Sequence, residues 1–325
     1  MSDANILKVE NLVKTYPVPS VKILEKKKIF TAVNNVSFEI ARGETLGLIG
    51  ESGCGKTTVG RIITKLLDPD SGRVIFEGED ITSVKNKELM EKRSRIQMVF
   101  QDPSTALNPQ FRIGRSLKEA LYSIGVKDKT EQNTRISNMI SKVGMTEEYL
   151  ERYPHELSGG QKQRVCILLA LLTNPSFIVA DEVVSALDLS VQAQILNLVK
   201  SLQKEFQLAT LFISHDLNII HYMSDRIIVM YMGEIVESGP CEEVYSRGRH
   251  PYTKLLLSSL LDLTADRTSG ELTDSGDVVR GEDFCIYSNR CPIRTELCLR
   301  EKPELKEFSP GHFVKCHYTG HHEEV

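Results

Sequence analysis

The chain has no tryptophan in its 325 residues and no basic surplus, with 40 Lys and Arg against 44 Asp and Glu. That balance gives no support to a basic face for nucleic acid. Long apolar runs are missing too. The longest, Val165 to Leu172, is far shorter than the ~20 apolar residues that cross a bilayer. The first residues, Met1-Ser2-Asp3-Ala4-Asn5, lack a positive stretch followed by an apolar core, so the chain is expected to stay in the cytoplasm. No internal repeat is visible. Seven cysteines in a reducing compartment point to thiols or metal ligands rather than disulfides. The length predicts two domains, or one large domain with an appendage.

What the chain does have is concentrated first in Gly50-Glu51-Ser52-Gly53-Cys54-Gly55-Lys56-Thr57, which fits the G-x-x-x-x-G-K-[ST] pattern. Ahead of it, Thr45-Leu46-Gly47-Leu48-Ile49 reads as a buried strand. Behind it, Thr58 to Leu67 carries Val59, Ile62, Ile63, Leu66 and Leu67 at helical spacing. A strand, a glycine-rich turn and a helix start leave backbone N–H groups aimed at one spot. Those groups and the helix dipole make that spot a seat for anionic oxygens. In such a loop Lys56 reaches the β- and γ-phosphates and the Thr57 hydroxyl binds Mg²⁺. The stretch predicts a nucleoside triphosphate site.

Taken in order, Ile6 to Val13 alternates and reads as an edge strand ended by Thr15-Tyr16-Pro17, and basic, proline-punctuated Pro17 to Lys28 reads as an exposed loop. Ala32 to Ile40, Val74 to Glu77 and Ile96 to Phe100 read as further strands. From Ser116 to Gly144 the pattern turns helical and interrupts the strand–helix alternation, as an insertion would. Apolar Phe177 to Ala180 runs into Asp181-Glu182, a helix spans Ser190 to Glu205, and the strand Ala209 to Ile213 runs into Ser214-His215-Asp216. Arg226 to Met232 and Glu234 to Val236 pivot on Gly233 as a hairpin. The expected fold is α/β, a mainly parallel sheet with helices on both faces and acidic groups at strand C-terminal ends, where ligands bind.

Asp181 and Glu182 divide the labour of phosphate transfer: the first carboxylate can hold Mg²⁺ through water, and the second can polarise the attacking water as general base. Leu157-Ser158-Gly159-Gly160-Gln161 opens a helix, with Ser158 as N-cap and glycines exposing N–H groups toward a second anion. A chain with one phosphate seat gains a second only for a nucleotide bound elsewhere.

At this point the sequence resembles the ATP-binding cassette (ABC) transporter ATPases, whose signature motif is this pentapeptide; the likeness runs from residue 6 to about 260, with the motifs in the family's order. The resemblance implies a P-loop NTPase core with an antiparallel β subdomain, an ATPase domain over residues 1–260 with a helical insertion at about 102–160, and a linker and small Cys-rich extension over 261–325. Gly50 to Thr58 become the phosphate loop, with Thr57, Gln101 and Asp181 on Mg²⁺, and Gln101 also contacts the attacking water. Ser158, Gly159, Gly160 and Gln161 become the grip on the γ-phosphate of ATP held by an opposite subunit. Glu182 is implied as catalytic base, His215 as the switch histidine, and Asp188 as part of the loop linking two sites. Tyr16 corresponds to the aromatic that stacks on adenine. The chain departs from the family in Leu168-Leu169, where an Ala-Arg pair is common, and in Val183, where many members carry proline.

Three stretches resemble the oligopeptide and dipeptide importer ATPases, a subfamily that includes nickel importers: Phe100 to Pro103 with Leu107-Asn108-Pro109, Asp181 to Asp188, and His250-Pro251-Tyr252-Thr253. The implied partners are a second ATPase subunit forming a heterodimer, two membrane-spanning permease subunits and an extracytoplasmic substrate-binding protein, with no nucleic acid. The implied location is the cytoplasmic face of the cell membrane. A nickel or other small-solute importer, and a soluble cassette ATPase outside transport, are the alternatives.

The tail is polar from Asp262 to Asp283, as a linker is, and then carries Cys285, Cys291, Cys298 and Cys316 without C-x₂-C pairs. Clustered thiols suggest a metal, and four cysteines without histidine are also the ligand set of an iron–sulfur cluster. Subfamily members carry a similar cysteine set, in some cases holding a 4Fe–4S cluster. Iron–sulfur, zinc and free thiols all stand as readings of the tail.

Overall fold

A computed structural model describes residues 5–18, 29–261 and 284–318. The linker Asp262 to Asp283 and most of the basic loop before Lys28 lie outside the described residues.

The chain opens with β1 (Asn5–Pro17) and β2 (Ile29–Ala41), then β3 (Thr45–Ile49), α1 (Lys56–Ile63), β4 (Ser71–Phe76), β5 (Glu79–Asp80), α2 (Asn86–Arg95) and β6 (Ile96–Val99). The helical insertion follows as α3 (Pro103–Ala106), α4 (Ile113–Ser123) and α5 (Lys129–Ile140), after which α6 (Gly159–Leu172) returns to the sheet. Next come β7 (Phe177–Asp181), α7 (Leu189–Phe206), β8 (Ala209–Ser214), α8 (Leu217–Met223) and the hairpin β9 (Arg226–Tyr231) and β10 (Glu234–Pro240). The remaining elements are α9 (Cys241–Arg247), α10 (Pro251–Leu261) and, in the extension, β11 (Lys306–Ser309) and β12 (His312–Val314).

The strands form two sheets. The main one runs β11-β12-β10-β9-β3-β8-β7-β6, parallel from β9 to β6 and antiparallel from β9 outward. The smaller is antiparallel, ordered β2-β1-β4-β5. So β1 is an inner strand, not the edge strand its alternation suggested, because β4 pairs along its other side. Every residue of β3, β7 and β8 is buried, as expected for parallel strands covered on both faces. Leu211 and Ile213 face one apolar cluster with β1, β2 and α1, while Phe212 faces another with α6, α7 and the insertion. Period-two geometry lets one strand serve both layers.

The extension completes this sheet. β12 pairs with β10 at Glu237 and Ser238, and Lys302 and Lys315 both bind the buried Glu234 carboxylate, at 2.5 and 2.6 Å. Among the described residues no helix is long and apolar enough to cross a membrane.

Candidate active site

Strand register brings the candidate residues to one edge. Ile49 pairs with Ser214, Ile213 with Asp181, and Ala180 with Val99. The segments leaving β3, β8, β7 and β6 therefore emerge side by side. They carry the glycine-rich loop, His215, Glu182 and Gln101, in that order across the sheet.

The loop closes because three of its glycines answer different demands. A Cβ on Gly50 would lie 2.1 Å from the Met230 carbonyl oxygen, and one on Gly55 2.1 Å from that of Ala32. Gly53 has open space around it but a φ of +79°, a region side chains avoid. Lys56 starts α1 and curls back over the loop, its Nζ donating to the carbonyls of Gly50 at 2.7 Å and Glu51 at 3.0 Å. The ammonium is thus held against the loop backbone beside the start of α1, where the helix dipole also favours an anion. Burial raises the Cys54 thiol above its ordinary value.

Thr57 Oγ1 donates to Asp181 Oδ1 at 3.1 Å. Asp181 is only 3% exposed. Burial pushes its carboxyl above the ordinary carboxylate value, with the Thr57 bond acting against the shift. Two oxygen donors, one a carboxylate whose charge is poorly solvated, suit a small hard cation such as Mg²⁺.

Glu182 adopts a φ of +47°. A non-glycine residue there costs about 1–3 kcal/mol and is found where structure over-determines the backbone; here the Ile213 carbonyl accepts the Glu182 N–H at 2.9 Å. The twist turns the carboxylate toward two neighbours: Gln101 Nε2 donates to it at 2.8 Å and His215 Nδ1 stands 3.3 Å away. Gln101, Glu182 and His215, drawn from three strands, form one constellation.

Ser158 caps α6 through a reciprocal box, Gln161 N–H to Ser158 Oγ at 3.4 Å and Ser158 N–H to Gln161 Oε1 at 2.9 Å. The two glycines have a packing reason beyond open amides. A Cβ on Gly160 would lie 2.5 Å from Val191 Cγ1, and one on Gly159 3.2 Å from Leu187 Cδ2. Asp188 caps α7, accepting from Val191 N at 3.0 Å and Ser190 Oγ at 2.8 Å, and Leu189 beside it is 84% exposed. Tyr16 lies exposed near the end of β1, paired with Phe30, with Lys14 Nζ 5.9 Å from its ring centre. Both departures from the family pattern are absorbed by packing: Val183 and Leu168 are buried in the core.

Two side chains of this site were not visible from the sequence. Tyr252, fully buried at the start of α10, uses its hydroxyl to accept the Glu51 N–H at 2.8 Å. Arg290, from the extension, places Nη1 2.8 Å from Glu51 Oε2. His250-Pro251-Tyr252-Thr253 was a motif without a known contact; no periodicity points from Arg290 to a loop 239 residues away.

The tail cysteines gather. Cys285, Cys298 and Cys316 are within electrostatic reach of one another, and so is Cys291. Cys285 N–H donates to the Cys298 carbonyl at 3.0 Å. Burial, ahead of the neighbouring thiols, pushes Cys285 up to about 11 and raises Cys291 and Cys316. The donor set suits a thiolate-bound centre. Among the described residues, however, no three His, Cys, Asp or Glu side chains are grouped as they would be around a metal ion. The four thiols lie near one another without closing into a cage.

Comparison with known proteins fits this geometry. The ABC transporter family matches residues 33–185, and the C-terminal region of oligopeptide/dipeptide transporters matches residues 236–298. The oligopeptide transport ATP-binding protein AppF of Bacillus subtilis is 42% identical over 322 residues, covering 96% of this chain and 97% of that protein. The glutathione import ATP-binding protein GsiA of Pectobacterium atrosepticum is 47% identical over 255 residues, covering 78% of this chain and 41% of that one. Among solved structures, the dimeric post-hydrolysis cassette MJ0796 bound to ADP and Pi superposes with a TM-score of 0.64 at 29% identity, covering 72% of this chain and 98% of that one. A loop built to hold phosphate, a strained carboxylate beside it and relatives that match nearly end to end lead to one conclusion: the chain belongs to the ATP-binding proteins of ABC transporters, in the oligopeptide/dipeptide branch.

Proposed function

We propose that the chain is the ATP-hydrolysing subunit of an importer that takes up oligopeptides or dipeptides through separate permease subunits. The observation that carries the reading is the convergence of Lys56, the Thr57–Asp181 pair and the Gln101–Glu182–His215 constellation at the ends of adjacent parallel strands. Its cargo class rests on the match of residues 236–298 and on the names its relatives carry.

The loop amides and Lys56 bind and orient the triphosphate; Thr57 and Asp181 would hold Mg²⁺, which would neutralise charge on the phosphate oxygens. Glu182 takes the proton of the attacking water, and Gln101 keeps its carboxylate aimed. His215 stands beside that carboxylate and donates toward the γ-phosphate. Ser158, Gly159, Gly160 and Gln161 are exposed or half-buried at the start of α6; they close over nucleotide held by a second ATPase subunit, the two chains forming a heterodimer. Tyr16 stacks on the base. Its partners are two permease subunits and an extracytoplasmic binding protein, and it works at the cytoplasmic face of the membrane.

For the extension we propose a 4Fe–4S cluster on Cys285, Cys291, Cys298 and Cys316, resting on a donor set of four thiols within electrostatic reach of one another, which would have to draw together to close around it; zinc and free thiols are the competing outcomes. Anaerobically purified protein should be brown and lose its visible absorption on Cys291→Ser. Colourless, iron-free protein would reject the cluster.

The functional test is reconstitution with membrane-spanning permease subunits of an oligopeptide importer. Labelled di- and oligopeptides should enter the vesicles only with MgATP. Uptake of nickel or another small solute without peptide, or no association with any permease, would overturn the reading.

A further inference from the structure

The extension does more than lengthen the sheet: it reaches the phosphate loop. Glu51 is the second residue of that loop, so its carboxylate puts a negative charge on a turn that otherwise attracts anionic oxygens. An unneutralised carboxylate there would repel a triphosphate, since unit charges a few ångströms apart interact appreciably even near water. Arg290 meets it at 2.8 Å, both side chains being part-exposed, at 32% and 43%.

Arg290 is well anchored. Its N–H donates to the Tyr287 carbonyl at 3.0 Å, and Tyr287 is buried. The Tyr287 ring packs edge-on against Tyr231 at 5.1 Å and lies 5.6 Å from Tyr252. Tyr231 ends β9, next to Met230, whose carbonyl lies under Gly50, while Tyr252 holds the Glu51 N–H. The guanidinium stands 6.0 Å from the Tyr231 ring centre. One aromatic wedge therefore sets both the loop backbone and the arginine that faces its only acidic side chain.

On the reading that the loop binds ATP, we infer that Arg290 is a positioning residue of the nucleotide site, supplied by the C-terminal extension, which cancels the Glu51 charge and so raises nucleotide affinity. The effect is electrostatic and local. It acts on binding rather than on the chemical step, because Arg290 faces Glu51 and not the Gln101–Glu182–His215 group.

The test is MgATP affinity, read with a fluorescent ATP analogue and unlabelled competition, on the purified full chain and four variants. Arg290→Gln should weaken binding about fivefold to tenfold, the range one uncompensated charge near the surface gives. Arg290→Lys should recover most of the loss, and Glu51→Gln alone should bind at least as tightly as the unaltered chain. The double variant Arg290→Gln with Glu51→Gln should return close to it, because no charge is left to cancel. The loss in Arg290→Gln should shrink as salt is raised and should appear in KM for ATP with kcat within about twofold. A silent Arg290→Gln, or a double variant as weak as Arg290→Gln alone, would overturn the proposal. If the unaltered chain bound no MgATP the functional reading would fall; if it bound normally and Arg290→Gln were silent, only this inference would.

Discussion

Thr57 Oγ1 donates to Asp181 Oδ1 at 3.1 Å, tying the first turn of α1 to the end of β7 across 124 residues of chain. On the proposal that these two oxygens hold Mg²⁺, the bond pre-assembles them, so Asp181→Asn should lower Mg²⁺-dependent ATP hydrolysis by about 100-fold, the usual cost of losing one pre-organised charge partner. Binding of metal-free ATP should change little. Steady-state hydrolysis over a Mg²⁺ titration checks this, and an unaltered Mg²⁺ requirement in the variant would refute the assignment.

The loop glycines should rank by what surrounds them. At Gly50 a methyl group meets backbone at 2.1 Å, which cannot move aside without shifting β9. Gly50→Ala should destabilise the fold by about 1–3 kcal/mol and weaken ATP binding by at least roughly tenfold through loop displacement. At Gly53 only the φ of +79° opposes a side chain, so Gly53→Ala should cost about 1–2 kcal/mol and spare more of the binding. Thermal unfolding and nucleotide titration of both variants measure the order; a milder Gly50→Ala would contradict it.

His250 supplies a pH signature. Burial holds it at about 4, below its ordinary 6.5, and its Nδ1 accepts the Tyr252 N–H at 3.1 Å, which only the neutral ring can do. The unfolded chain then binds more protons than the folded one between those values, so stability is full above about pH 6.5 and falls as pH drops toward 4. The loss should be about 2 kcal/mol between about pH 7 and pH 5. His250→Asn keeps an acceptor but cannot titrate, so its unfolding temperature should vary less over that range. Equal pH slopes in the two proteins would exclude His250 as the cause.

Much of this was legible in the sequence because chemistry and burial coincide there. Thr45 to Ile49, Phe177 to Asp181 and Ala209 to Ser214 are apolar runs because they are central parallel strands, and each leads into a residue or loop of the candidate site. Elements whose neighbours decide their form were harder. α1 ends at Ile63, short of the apolar pattern that ran to Leu67, because Lys65 turns left-handed at a φ of +57°. α2 buries no residue, so no apolar period marks it. β11 and β12 are short and half-polar, and exist because β10 offers a pairing edge. The Ser158 cap is legible from the sequence, whereas the Asp188 cap and the Val191 contact that excludes a side chain at Gly160 need the structure. The reach of Arg290 to Glu51 is likewise a product of how the extension docks.

The central claim is that Glu182, turned by its left-handed backbone toward Gln101 and His215, is the base for ATP hydrolysis. Its most direct test is single-turnover hydrolysis by the assembled transporter carrying Glu182→Gln, a change of one charged oxygen to an amide. The account predicts normal MgATP binding with hydrolysis slowed by about 100-fold or more. Hydrolysis at the unaltered rate, with nucleotide still bound, would contradict it.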